Sequence, residues 1–109
     1  MKCVLRCENE YHVLELSGEI DLHFSPELRK QILGSLNEGK PLLIDMAEVS
    51  YIDSSGIASL VEGFQTAKSS DLAYGLLSIS SPALQVLTLT RLDKVFSLYD
   101  DIEQFQSAI

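Results

Sequence analysis

The sequence predicts an α/β fold in which a mixed β-sheet of about four to five strands is covered by about four helices. Two short apolar segments come first along the chain, and strands then alternate with amphipathic helices. The chain has 109 residues, enough for one hydrophobic core. We therefore expect a single domain over residues 1–109, without repeats, linkers or low-complexity tracts.

The first half of the chain is predicted to contain two strands and a helix. Residues 2–7 and 11–17 have the composition and alternation of strands. Ser25, followed by proline, predicts a helix start with Ser25 as its N-cap. That helix is expected to end near Gly39. The stretch 18–24 before it is predicted to be a loop.

The second half alternates strands and helices. A buried strand at 42–46 leads into a long amphipathic helix. A strand at about 73–79 comes next, and Ser81 is predicted to cap the helix after it. The last elements are a strand at 95–99 and a helix capped by Asp100. The apolar positions of the long helix are Ile57, Leu60, Val61, Phe64 and Ala67.

Charge and hydropathy exclude several classes of partner. The chain has 8 Lys and Arg against 16 Asp and Glu, a formal net charge of −8, which repels nucleic acid and anionic lipid. No apolar run approaches the roughly 18 residues of a membrane span, and the first residues do not resemble a signal peptide. We expect a cytoplasmic monomer without membrane insertion, whose partner offers a basic surface.

The two cysteines, Cys3 and Cys7, fall on one face of the first predicted strand, about 13 Å apart if that strand is extended. They cannot form a disulfide with each other there. The sequence has no Cys-x-x-Cys motif and no cluster of histidines. We therefore expect small buried thiols in a reducing compartment, with no metal and no cofactor.

The joint between the strand at 42–46 and the long helix reads Asp-Ser-Ser-Gly, residues 53–56. Ser54 is predicted to be the N-cap, because a short side-chain oxygen can accept from the free amides of the first turn. Asp53 suits the positive end of the helix. Gly56 lacks a Cβ, so the backbone of another molecule could approach closely there. Joints of this kind lie at the sheet edge where ligands and partners usually bind.

Ser54 has several possible roles besides capping. As a catalytic nucleophile it would need a base, yet His12 and His23 lie far upstream and the Gly-x-Ser-x-Gly pattern is absent. As a phosphate acceptor it would place a dianion at a helix N-terminus, where free amides and the dipole favour negative charge. A metal site formed by Asp21, His23 and Asp53 is a further alternative, although such loop residues often coincide by chance.

Four segments carry a resemblance to a known family. They are Ser-Gly-Glu-Ile-Asp-Leu at 17–22, Ser-Pro-Glu-Leu at 25–28, Val-Ser-Tyr-Ile-Asp-Ser-Ser-Gly-Ile at 49–57 and Leu-Thr-Arg-Leu-Asp-Lys-Val-Phe at 89–96. In this order and spacing they resemble the STAS domain family, and more narrowly the bacterial anti-sigma factor antagonists. The resemblance covers nearly the whole chain and implies a STAS-like α/β fold.

The resemblance implies a non-enzymatic switch. The serine directly after the aspartate, here Ser54, is expected to be phosphorylated by an anti-sigma factor that is also a serine kinase of histidine-kinase-like ATPase fold. A metal-dependent serine phosphatase would reverse the modification. The unphosphorylated protein would bind the anti-sigma factor, and the phosphorylated protein would release it. The partner-binding residues implied by the family pattern are Asp21, Ser25, Asp53, Ser54, Ser55, Gly56 and Ile57.

Two positions depart from the family pattern, and one alternative function stays open. Ala58 and Arg91 stand where many members have glycine. If the second position needs a positive φ, Arg91 carries a local strain of about 1 kcal/mol. The alternative is a STAS subunit of a transport or lipid-trafficking complex, which would bind its partner without phosphate control.

Overall fold

The computed structural model describes residues 2–8 and 10–109. Within these residues the chain forms one five-stranded sheet with four α-helices. The strands are β1 (Lys2–Cys7), β2 (His12–Ile20), β3 (Leu42–Ile52), β4 (Tyr74–Leu77) and β5 (Ser97–Tyr99). The helices are α1 (Ser25–Leu36), α2 (Ser54–Ser69), α3 (Ser81–Leu89) and α4 (Ile102–Ala108), with a 3₁₀ turn at Leu92–Lys94.

The sheet is mixed, and its strands lie in chain order. β1 is antiparallel to β2, whereas β2, β3, β4 and β5 are parallel neighbours. A helix connects each parallel pair, so the carboxyl ends of these strands meet at one edge of the sheet. The predicted α/β fold is confirmed, and α2 begins at that edge.

β2 and β3 are longer than predicted. Residues 18–20, expected in a loop, belong to β2, which pairs with β3 as far as Ile20 opposite Ile52. β3 continues past Met46 through two register shifts, where it carries one residue more than β2 each time. This extension carries the exposed polar residues Glu48 and Ser50, so its hydrophobicity pattern does not indicate a buried strand.

The main core lies between the sheet and the helices α1, α2 and α3, and a smaller cluster lies on the opposite face. There Phe105 of α4 packs with Val13 and Leu43, which alternate along their strands with residues of the main core. The predicted apolar face of α2 is confirmed. Its Ile57, Leu60 and Ala67 are buried, and Val61 and Phe64 pack partly buried against the same core.

Several predicted element ends are wrong by a few residues. Ser80, not Ser81, caps α3 by accepting from the Ala83 amide at 3.4 Å. Asp101, not Asp100, caps α4. In addition, α1 stops at Leu36 rather than near residue 39, and β4 and β5 are shorter than the segments 73–79 and 95–99. For both helices the predicted cap is the immediate neighbour of the actual cap. Both neighbours are of a type that can cap a helix, so the local sequence does not distinguish them.

The two cysteines are free thiols. Cys3 is partly buried, and this burial, together with the charge of Glu27, raises its pKa to about 11. Cys7 is exposed, so the expectation of two buried thiols is wrong for Cys7. In the part of the chain that the structure describes, no helix is both long and apolar enough to cross a membrane.

Candidate functional site

Asp53, not Ser54, caps α2. The Asp53 backbone is extended, with φ −105° and ψ −174°, and its Oδ1 accepts from the amides of Ser55 at 2.9 Å and Gly56 at 3.2 Å. Ser54 is the first residue of the helix, so its predicted capping role is wrong. The cause is the length of β3, which ends at Ile52 and leaves Asp53 where the backbone turns from extended to helical.

The two serines of this joint have different environments. The Ser55 hydroxyl is half-buried and donates to Asp53 Oδ1 at 2.5 Å. Ser54 is exposed, and within the described residues its hydroxyl makes no hydrogen bond. Of the two hydroxyls, Ser54 therefore presents the one that a second macromolecule can reach without breaking an internal bond.

Hydrogen bonds hold the pKa of Asp53 below its ordinary value. The Ser55 hydroxyl contributes most, and the backbone amides of Gly56, Ser55 and Leu22 add to it, against a partial burial that acts in the opposite direction. The carboxylate is therefore ionised at neutral pH, and its negative charge is favourable at the helix N-terminus.

Asp21 organises the loop between β2 and α1. Its Oδ1 accepts from the amides of His23 at 3.1 Å and Phe24 at 3.2 Å, and its carbonyl accepts from the Ser25 amide at 2.8 Å. The N-cap position of α1 is held by Phe24, which makes no side-chain cap. The prediction that Ser25 caps α1 is therefore wrong, and Ser25 is buried, at 5% exposure.

The Asp21 loop and the start of α2 are joined by direct contacts. The Asp53 amide donates to the Ile20 carbonyl at 3.1 Å, and the Leu22 amide lies close enough to the Asp53 carboxylate to help lower its pKa. Deeper in the protein, the Ser59 hydroxyl donates to the Ser25 carbonyl at 3.2 Å. We call the surface formed by residues 21–22 and 53–55 the Ser54 corner. It unites the predicted residues Asp21, Asp53, Ser54 and Ser55.

Gly56 and Ile57 lie beneath this surface. A Cβ on Gly56 would lie 2.7 Å from Cγ2 of Ile20 and 2.8 Å from Cγ1 of Ile52. The glycine therefore makes room for the protein's own core, and the expectation that it admits another molecule's backbone is wrong. Ile57 is 9% exposed and packs in the main core.

Two alternatives raised by the sequence can be compared with the described part of the chain, a metal site and a role for His12. No three of its His, Cys, Asp and Glu side chains form a group that could hold a metal ion. His12 is buried at the start of β2, with its Nδ1 2.7 Å from the hydroxyl of Ser35 in α1. This ring therefore serves as a packed core group at the opposite end of β2 from the Ser54 corner.

Sequence reasoning missed Leu22. Its side chain is 72% exposed although it is apolar and lies in the Ser54 corner. The available signal was an apolar residue within a stretch that was predicted to be a loop.

The chain was compared with known proteins. The family model "STAS domain" matches residues 3–105. The "Anti-sigma-B factor antagonist" of Bacillus subtilis (strain 168) is 29% identical over 91 residues, which are 84% of this chain and 83% of the relative. A candidate anti-sigma factor antagonist of Thermotoga maritima has a crystal structure that superimposes with a TM-score of 0.88 at 23% identity, over 98% of this chain and 93% of that one.

The anti-sigma factor antagonist SpoIIAA shares the same fold. Its unphosphorylated form superimposes with a TM-score of 0.84 at 19% identity, over 98% of this chain and 95% of that one. The structure of Bacillus SpoIIAA in the phosphorylated form superimposes with a TM-score of 0.76 at 20% identity, over 98% of both chains. The family match over nearly the whole chain and the shared topology show that this protein belongs to the STAS domain family.

Proposed function

We propose that this protein is an anti-sigma factor antagonist, a non-enzymatic cytoplasmic binding protein controlled by phosphorylation of Ser54. It binds an anti-sigma factor while Ser54 is unphosphorylated and releases it once Ser54 carries phosphate. One observation carries the proposal: Ser54 is exposed at the first residue of α2, beside the ionised Asp53, and its hydroxyl bonds to none of the residues that the structure describes. The names of the relatives support the same function.

The anti-sigma factor in this proposal is itself the serine kinase, with a histidine-kinase-like ATPase fold. The Ser54 oxygen attacks the γ-phosphorus of ATP, the bond to the ADP leaving group breaks, and the hydroxyl proton passes to a base. The kinase supplies ATP and magnesium, and this chain supplies the hydroxyl. A metal-dependent serine phosphatase hydrolyses the phosphate and restores the binding form.

The proposed partner surface has an outer and a supporting layer. Asp21, Asp53, Ser54 and Ser55 have atoms at or near the surface. The remaining predicted residues are buried in the free protein, so they hold the corner in shape instead of offering atoms to the partner. They are Ser25, Gly56 and Ile57.

The Asp53 cap explains how one phosphate could reverse binding. A phosphate would add about −1.5 to −2 charge directly beside Asp53. The amides of Ser55 and Gly56 cannot neutralise it freely, because Asp53 Oδ1 already accepts from both. A partner that covers Ser54 would therefore enclose poorly paired charge, which costs several kcal/mol and lowers the affinity about a hundredfold or more.

The modification should leave the fold intact. Ser54 points away from the core at an exposed position, so a phosphate there stays in water. The favourable interaction of an anion with a helix N-terminus, about 0.3–1 kcal/mol, partly offsets repulsion from Asp53. The switch thus changes the binding surface and not the structure beneath it.

The proposal can be tested by intact mass spectrometry. The protein is incubated with ATP, magnesium and each anti-sigma factor kinase of its own genome, alongside the variants Ser54→Ala and Ser55→Ala. We expect one phosphate on the wild type and on Ser55→Ala, and none on Ser54→Ala.

Two results would contradict the proposal. Phosphate on Ser54→Ala would place the modification elsewhere. No phosphate on any protein, with every kinase active on its own substrate, would favour the STAS subunit of a transport or lipid-trafficking complex.

A further inference from the structure

We propose that Leu22 is the apolar anchor of the partner interface, and that the partner covers it with an apolar pocket while placing a Lys or Arg side chain in the adjacent acidic groove. This inference rests on the proposed function and adds to it the residue that supplies affinity and the chemistry of the surface that binds it.

Leu22 is exposed but not loosely held. Leu22 is 72% exposed, whereas the turn that carries it is held by hydrogen bonds, among them that of the Ser25 amide to the Asp21 carbonyl at 2.8 Å. The preceding residue, Asp21, fixes the loop on the other side by accepting from two amides of the turn. Covering an exposed leucine on a hydrogen-bonded turn is favourable for binding, because apolar area leaves water with little further ordering of the chain.

An acidic groove lies directly beside Leu22. It has a volume of about 550 Å³, and Glu19, Asp21 and His23 are among its lining residues, with Gly18 and Phe24 forming the remainder. The segments that build the Ser54 corner contain no Lys or Arg, since none occurs at 7–28 or 41–67. The surface around Leu22 therefore complements a basic side chain and repels an acidic one.

The position of Leu22 also links the anchor to the switch. Leu22 and Ser54 belong to the same corner, and the Leu22 amide is one of the groups that lower the pKa of Asp53, the residue before Ser54. A phosphate on Ser54 would place its charge next to the apolar contact, so a partner could not bury Leu22 without also desolvating that charge.

Leu89 provides a matched control. It is also a leucine, it is 84% exposed, and it lies at the last residue of α3, the helix end remote from the sheet edge that carries Ser54. If exposed leucine alone attracted the partner, the two residues would be equivalent. The acidic groove beside it and its place in the Ser54 corner distinguish Leu22.

The test is isothermal titration of the purified anti-sigma factor kinases of the same genome with the wild type, Leu22→Ser, Leu22→Met and Leu89→Ser. Loss of one buried leucine should weaken binding by about 10- to 100-fold in Leu22→Ser. Leu22→Met should stay within a few-fold of the wild type, and Leu89→Ser should be unchanged. Thermal denaturation of each variant verifies that the fold is retained, as expected for exposed positions.

The outcomes separate this inference from the function on which it rests. If the wild type binds a kinase and Leu22→Ser binds it equally well, the anchor is wrong and the proposed function stands. An equal loss in Leu22→Ser and Leu89→Ser would also overturn the anchor, because binding would then follow general apolar exposure. If the wild type binds none of the kinases, the proposed function fails and the anchor fails with it.

Discussion

The start of α2 and the turn after α3 are built in opposite ways. At the start of α2, Asp53 has an extended backbone and its carboxylate accepts from the next free amides of the helix. In the turn after α3, Arg91 has φ 62° and ψ 16°, in the left-handed region that glycine adopts most readily. Its side chain makes no cap.

The comparison shows that backbone strain and the proposed function lie in different places. The family pattern predicted strain at Arg91 if that position needed a positive φ, and the positive φ is confirmed. In the Ser54 corner, by contrast, the Ser54 hydroxyl has no hydrogen bond to any described residue, while Asp53 and Asp21 accept from neighbouring amides. Here an open polar group on a rigid frame marks the candidate site better than strain does.

The largest expected effect comes from filling the space beneath the corner. Gly56→Ala should lower the free energy of unfolding by about 1–3 kcal/mol, because the new methyl group meets Ile20 and Ile52. Gly34→Ala in α1 is the matched control, since a Cβ there meets nothing within 4 Å. It should raise stability by about 0.5–1 kcal/mol. Urea denaturation of both variants measures the contrast, and equal effects would show that Gly56 is not packed as described.

Removal of the cap should have the next largest effect. Asp53→Ala leaves the amides of Ser55 and Gly56 without their acceptor and should destabilise the protein by about 0.5–2 kcal/mol. Asp53→Asn is the control, because its side-chain oxygen can still accept from the helix amides. It should therefore lose less unfolding free energy than Asp53→Ala. A loss in Asp53→Asn as large as in Asp53→Ala would assign the effect to charge and not to the cap.

A comparison of the wild type with Asp53→Asn also tests the lowered pKa of Asp53. Because this pKa is lower in the folded protein than in the unfolded chain, where it is about 3.9, the stabilisation is fully present above the unfolded value. This stabilisation is lost as the pH falls through the pKa of Asp53 in the folded protein. As the pH falls below the unfolded pKa, the wild type should therefore lose more unfolding free energy than Asp53→Asn. Parallel slopes in the two proteins would contradict this account of Asp53.

The smallest effect concerns the strained turn. Arg91→Gly should stabilise the protein by about 0.5–1 kcal/mol, since glycine relieves the left-handed backbone but also gains freedom in the unfolded chain. Arg91→Ala removes the same charge while keeping the strain, so it should not stabilise. Thermal melting of both variants distinguishes strain from charge, and a gain in Arg91→Ala would point to charge.

The sequence could predict the order and type of elements because their hydrophobic periodicity survives in any local context. The apolar face of α2 is an example, with Leu60 fully buried as expected. The ends of the helices and strands were harder to predict from the sequence. Whether Asp53 or Ser54 caps α2 depends on where β3 ends, and β3 ends where its pairing with β2 stops at Ile52, which is a long-range property.

The candidate site could be predicted only in part. The Asp-Ser-Ser-Gly joint singles out Ser54, but nothing in the local pattern shows that Ser55 is tied to Asp53 while Ser54 is free. The direction in which Gly56 faces, and the exposure of Leu22, depend on the packing of β2 against β3 and α2. These features arise from tertiary contacts between segments about thirty residues apart, which single-sequence patterns do not encode.

The most direct test of the switch is the affinity of one preparation for its anti-sigma factor before and after phosphorylation at Ser54. We predict a loss of about a hundredfold or more, caused by charge at the covered surface. Thermal melting of both forms should show that the fold is retained. Equal affinities of the phosphorylated and unphosphorylated protein, with full occupancy of Ser54 established by mass, would contradict the account.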